Sequence, residues 1–188
     1  MTSGDSLSLL RWHLDRYDRL RASTAGRAAV VLSASALLSA ANAVIIAQLL
    51  GARFTSVPGA VLVLCALPSF GGFVLVVLGV LRATGVLVTA RNSRALLTGP
   101  AAPPPGPIFN GGDTLTLFAT YAEFSTAVDS QDELSIIEAA KAELWIVIHQ
   151  HRYRYAELRS AVRFLRLAAL TLPVALVIVL AVGLAAAG

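Results

Sequence analysis

Three stretches of this chain carry no charged residue over the length needed to cross a bilayer: Ala28 to Leu50, Ala60 to Leu81 and Leu167 to Gly188. A helix rises 1.5 Å per residue, so about 20 apolar residues cover the roughly 30 Å hydrocarbon core of a membrane. The composition agrees, with 56% hydrophobic and 14% charged residues and a mean hydropathy of +0.73 over 188 residues, which is not a soluble balance. Each run exceeds the apolar part of a secretory signal, and the first follows the charged segment 1–27. The expectation is an all-α membrane protein with three transmembrane helices, at 28–50, 60–81 and 167–188.

The remaining segments read as helical extensions of these spans. Residues 1–27 hold five arginines, with Leu7, Leu10, Leu14 and Tyr17 at helical spacing, and predict an amphipathic, cytosolic entry helix running straight into the first span. Gly51 to Gly59, with Arg53 and Pro58, closes a hairpin between the first two spans. In mid-span of the second helix, Pro68 and Gly71-Gly72 predict a kink, either packed or acting as a gate. Residues 82–166 form a cytosolic helical region broken by the Pro-rich linker 99–107. Asp113 predicts the N-cap of a helix to about Val128, with Leu117, Tyr121, Phe124 and Val128 as its apolar stripe. Ser130 and Glu133 match a capping box, so a long helix should begin there and continue into the third span. Leu134, Ile137, Lys141, Leu144, Ile148, His151, Tyr155, Leu158, Val162 and Leu165 follow a 3,4 spacing along it, which predicts a seam for helix pairing. Leu144, Ile148, Tyr155 and Leu158 are the expected assembly residues of a homo-oligomer.

Charge placement sets the expected topology. Five arginines precede the first span, the hairpin loop has Arg53, nine Lys or Arg lie between Arg82 and Arg166, and no charge follows. The positive-inside rule places the N-terminus and the middle region in the cytoplasm, with the hairpin loop and the C-terminus outside. A net charge of +4 concentrated beside spans argues for a lipid bilayer as partner rather than nucleic acid.

Chemistry-bearing clusters are few. Cys65 is the single cysteine, so neither an intramolecular disulfide nor a CxxC metal motif exists. His149 and His151 are two apart and point to different helix faces, against a shared metal. With no nucleophile elbow, paired carboxylates or cofactor fingerprint, the chain does not read as an enzyme, and no catalytic residue or cofactor is expected. Arg152, Arg159, Arg163 and Arg166 recur at helical spacing as a basic strip, with Tyr153 beside it. Such a strip suits a phosphate-bearing ligand with a base stacked on tyrosine, and it equally suits anionic lipid and topology. Within the first span, Ser35, Ser39 and Asn42 share one face and are expected in packing between spans, with a pore-lining stripe as the alternative.

The segments Asp18–Ser33 and Gln150–Ala161, each a basic stretch entering an apolar one, together with the hairpin, resemble the Pycsar transmembrane effectors of bacterial anti-phage systems. Two-span SLATT-like effectors with a long cytosolic helix are a near relative. The resemblance implies an effector of the cell inner membrane, activated by a cyclic pyrimidine mononucleotide from a partner nucleotide cyclase. Once triggered, it disrupts the membrane so that the infected cell stops growing or dies. The ligand contacts expected on this reading are Arg152, Tyr153, Arg159, Arg163 and Arg166. The alternatives are a non-enzymatic oligomeric scaffold or sensor, and a small constitutive channel or transporter subunit.

Overall fold

A computed structural model describes residues 3–51, 57–88 and 118–187. Among the described residues four helices follow in order: α1 (Ser3–Leu49), α2 (Gly59–Leu87), α3 (Tyr121–Asp129) and α4 (Glu133–Ala187). Among the described residues there is no strand. Helices α1, α2 and α4 are each long and apolar enough to cross a membrane. The entry segment and the first span form one uninterrupted helix, as expected from the unbroken run through Ala22 to Arg27. Helix α2 continues past Leu81, the predicted end of the span, to Leu87. The Pro-rich linker 99–107, Asp113 and Leu117 lie outside the described residues.

The chain divides into two compact units, Met1–Ser23 with Thr89–Arg154, and Thr24–Val88 with Tyr155–Gly188. In the second unit, three helical segments share an interior that reads clearly along α2: Cys65, Ser69, Gly72, Val76, Gly79, Ala83 and Val86 are buried at strict 4,3 spacing. That is a heptad seam made of small residues. Facing it at one end are Ala28 and Val31 of α1 and Leu158 and Ala161 of α4, which close a cluster with Ala83 and Val86. At the other end Ile45 and Leu49 meet Cys65, Ala175 and Val179. Large apolar side chains point outward instead, with Leu37 74% and Leu170 66% exposed. Lipid is as apolar as leucine, so burying leucine between helices brings little gain, whereas small residues let backbones approach and multiply contacts.

The seam expected on α4 holds in part: Ile137 and Leu158 are buried, and Leu144, Ile148, His151, Val162 and Leu165 are half-buried. Leu134 is 70% exposed, Tyr155 is 53% exposed and Lys141 is exposed as well. The buried positions are Ile137, Ala139, Ala142, Ile146, Arg154, Leu158, Ala161, Ala168, Ala175 and Val179; Ile137 and Leu158 lie on the predicted line, and Ala142, Arg154 and Ala161 stand one residue from it. Of the four expected assembly residues, Leu158 is used inside the chain, Leu144 and Ile148 are half-buried, and Tyr155 faces outward.

Between the two apolar clusters lies a polar layer. Ser35, Asn42 and Ser69 are buried, Asn42 completely at 0% exposure, and Ser39 is half-buried. The Asn42 amide donates to the Leu38 carbonyl at 2.9 Å, while its Oδ1 is buried without a protein hydrogen-bond partner. The Thr171 hydroxyl donates to the Ala168 carbonyl at 2.8 Å. Gly72 lies against both: a Cβ there would stand 3.4 Å from the Asn42 amide and run into Thr171 Oγ1. Of the stripe expected between spans, Ser35 and Asn42 lie in this interior, and Ser39 is half-buried.

In the first unit, Ile146 is fully buried, with Ile137, Ala139 and Ala142 close to it in burial. Leu7, Leu10, Leu14 and Tyr17 form the half-buried stripe of α1, and the Tyr17 ring meets His151 edge-on at 5.7 Å. The caps differ from expectation. Helix α3 starts at Tyr121, capped by Thr120, whose Oγ1 accepts from the Glu123 N–H, while Glu123 Oε2 accepts from the Ala119 N–H. The Thr120 hydroxyl is thus the N-cap, while Glu123 reaches back to the residue before it; this start lies well inside the helix predicted from Asp113, and Tyr121, expected in the apolar stripe, is exposed. The predicted Ser130–Glu133 box does not form. The Ser130 hydroxyl donates to Ala127 at the end of α3, and Asp132 caps α4 by accepting from the Ser135 N–H at 2.9 Å and from its hydroxyl. Ser130 is drawn away because the preceding helix end offers it a nearby carbonyl.

Candidate functional site

The basic strip on α4 is divided. Arg159, Arg163 and Arg166 line an open groove of about 1060 Å³ in the second unit, and Arg27 from α1 lines it as well. Tyr155 stands at the same groove. Its apolar lining includes Val30 and Val31 from α1 and Val162 and Leu167 from α4. Arg152 and Tyr153 belong to the first unit and are not among the lining residues, so the structure gathers three of the five expected ligand contacts and adds a fourth arginine.

Local helix geometry explains the convergence. Arg159, Arg163 and Arg166 follow 4,3 spacing and share one side of α4, adjacent to the buried Leu158 and Ala161. Arg27 precedes Ala28, which belongs to the same cluster, so the contact between α1 and α4 that buries Ala28 brings Arg27 to the arginines of α4. Among the described residues, no Asp or Glu lines the groove. The nearest carboxylate on this stretch of α4, Glu157, is engaged elsewhere: Arg82 of α2 donates to its two oxygens at 3.1 and 3.3 Å, and the Glu157 side chain is only 13% exposed. Guanidinium groups present five donors in a planar fork that matches phosphate and carboxylate geometry. Four of them with no carboxylate in the described lining form a field that attracts a multiply bonded oxyanion.

The first unit carries a second basic region of different character. Arg154 is buried, and desolvation, followed by the charge of Arg21, pulls its guanidinium below the usual range. His151 is likewise pulled below its ordinary value, first by burial and then by Arg154. His149 Nδ1 lies 2.9 Å from the Trp145 carbonyl, with its ring 4.2 Å from that of Trp145. Both histidines are thus engaged in local contacts, and among the described residues no group of three His, Cys, Asp or Glu is placed to hold a metal ion.

Two features escape the sequence reading. Charge counting gives Arg27 a role only in topology, although it and Arg166 each stand immediately before an uncharged run. The 4,3 row on α2 shows in the sequence only as a source of kinking, because its members are small and chemically mixed. No family model matches the chain, and no curated protein or solved structure gives a significant match.

Proposed function

We propose that this chain is a membrane effector switched by an anionic ligand at the arginine groove, and that its active state breaches the inner membrane of the cell. The observation that carries the reading is the gathering of Arg27, Arg159, Arg163 and Arg166 around one groove with no carboxylate in its described lining. The trigger implied by the resemblance, a cyclic pyrimidine mononucleotide made by a partner cyclase, offers one phosphodiester for such a fork and a base for the exposed Tyr155 ring.

A route from ligand to membrane follows from the helices that bear the arginines. Arg27 and Arg166 stand at the heads of the uncharged parts of α1 and α4, so drawing them together on a shared anion changes the packing of Ala28, Val31, Leu158 and Ala161 close by. Small-residue contacts of this type re-pair at low cost, and neighbouring subunits of a homo-oligomer supply the new partners. On this reading the arginines face the cytoplasm, in keeping with their excess on that side.

Expression with and without the cyclic nucleotide, with membrane potential followed by a voltage-sensitive dye, tests the proposal. Depolarisation only when the nucleotide is present, abolished in Arg159→Glu/Arg163→Glu with membrane insertion retained, is the expected result. Depolarisation without ligand would identify a constitutive channel, and none under either condition would identify a scaffold; either overturns the effector reading.

A further inference from the structure

We infer that the arginine groove is a binding site for an acidic glycerophospholipid, whose phosphate sits among Arg27, Arg159 and Arg163 and whose acyl chains run along Val30 and Leu167. The inference shares with the proposed function the reading of the groove as an anion site, and it does not depend on a cyclic nucleotide.

Three observations point to lipid. First, the groove is amphipathic in a fixed order. Arg27 is followed within α1 by Val30, which is 69% exposed, and Arg166 is followed in α4 by the exposed Leu167. Cationic groups thus lead directly to open apolar surface, the order of groups in a phospholipid from headgroup to chain. Second, these arginines are the last charges before two uncharged runs, the level at which phosphates of a bilayer lie. Third, the volume of about 1060 Å³ is at the upper end of what ligand pockets enclose, enough for a headgroup, its glycerol and the first methylenes of its chains. Basic pockets between membrane-crossing helices on the cytoplasmic side are a recurrent way of holding acidic headgroups, and charge complementarity excludes a zwitterionic lipid as the preferred occupant. Because helices α1 and α4 both contribute, a bound lipid cross-links them, so occupancy sets the resting packing at Ala28 and Leu158.

The test uses the full chain purified in mild detergent and exchanged into bilayer nanodiscs of phosphatidylcholine with phosphatidylglycerol at a minor fraction. Lipid retained by the protein is then counted by native mass spectrometry. The expected result is enrichment of phosphatidylglycerol over phosphatidylcholine in the wild-type chain, reduced on the order of thirty-fold in Arg159→Gln/Arg163→Gln, since each arginine near a membrane surface contributes about five-fold. Arg11→Gln/Arg16→Gln, which removes the same charge from exposed positions outside the groove, should keep the enrichment. Equal enrichment in the groove variant, or equal loss in both variants, overturns the inference. Displacement of phosphatidylglycerol by millimolar glycerol phosphate also overturns it, because the site would then read phosphate alone. Far-UV circular dichroism of both pairs guards against misfolding, and Arg163→Gln alone, expected to lose about five-fold, carries the test if the double variant does not fold. Lipid enrichment without any nucleotide-dependent depolarisation would sink the effector reading and leave this one standing.

Discussion

Replacing Gly72 by alanine adds one methyl group at a crowded point of the three-helix interior. That methyl would run into Thr171 Oγ1 and stand 3.4 Å from the Asn42 amide. Thr171 cannot swing aside freely, because its hydroxyl is bonded to the Ala168 carbonyl at 2.8 Å and its other χ1 positions bring a methyl or break that bond. Overpacking of this kind costs about 1–3 kcal/mol, offset by the roughly 0.5–1 kcal/mol that alanine gains over glycine inside a helix. The net expectation is a loss of up to about 2.5 kcal/mol. Gly71, one position earlier, provides the control: a Cβ there meets nothing within 4 Å, so Gly71→Ala should be neutral or stabilise by up to about 1 kcal/mol. Adding Thr171→Ala to Gly72→Ala removes the obstructing atoms and should restore at least about 1 kcal/mol relative to additivity. Reversible unfolding of the full chain in mixed micelles, followed by far-UV circular dichroism, measures all four variants. A Gly72→Ala chain as stable as Gly71→Ala, or a strictly additive cycle with Thr171→Ala, would refute the close approach of α2 to α4 at this layer.

Two further outcomes follow from the first unit. Asp132→Ala should lower the melting temperature through loss of the α4 cap, whereas Ser130→Ala, outside that cap, should leave it nearly unchanged; equal effects in thermal unfolding would restore the Ser130 box. The Asp132 carboxyl is held below its ordinary range by the Ser135 hydroxyl and N–H, so its contribution is present at neutral pH and is lost as acid protonates it. His151 has the opposite chemistry and the same sign: burial, then Arg154, lower its pKa, so the unfolded chain takes up the proton first. Stability should be flat above the ordinary histidine value of 6.5 and fall as pH drops below it. His151→Gln should remove that portion of the slope, read from thermal melts followed by tryptophan fluorescence; an unchanged slope would show that the ring next to Tyr17 does not titrate as described.

Much of the helical layout is legible in the sequence because it depends on one residue type at a time. Charge-free runs mark spans, and the absence of proline between Ser3 and Leu49 allows a single helix. The face bearing Ser35 and Asn42 is also visible, since an amide in lipid has few places to go. The interior seams are harder. Large apolar residues at 3,4 spacing are the criterion for helices that pair in water; along α4 they pick out Ile137 and Leu158, which are buried, but also Leu134 and Tyr155, which face outward. In the second unit, Ala161, Ala168 and Ala175 carry the contact, and alanine is too common in such a chain to be recognised without its partners. Cap assignment fails where two candidates stand close together: Ser130 and Asp132 compete for α4, and only the end of α3 decides between them. The groove needs a tertiary fact, the contact that brings Ala28 beside Leu158 and Ala161, before Arg27 can join the arginines of α4.

The row of Cys65, Ser69, Gly72, Val76, Gly79, Ala83 and Val86 on α2 also governs how this protein can vary. In a water-soluble domain the interior tolerates exchange among leucine, isoleucine and methionine, while the surface accepts nearly anything polar. Here the permissions are exchanged. Outward positions such as Leu37 and Leu170 accept any bulky apolar residue, since the neighbouring lipid chain adapts to whatever it meets. Interior positions are limited by size before polarity, so serine can replace glycine or alanine at many of them where leucine cannot. A lineage of such chains would therefore drift quickly in its leucines and valines while its small residues stayed in register, and its kinship would be written in the spacing of its smallest side chains.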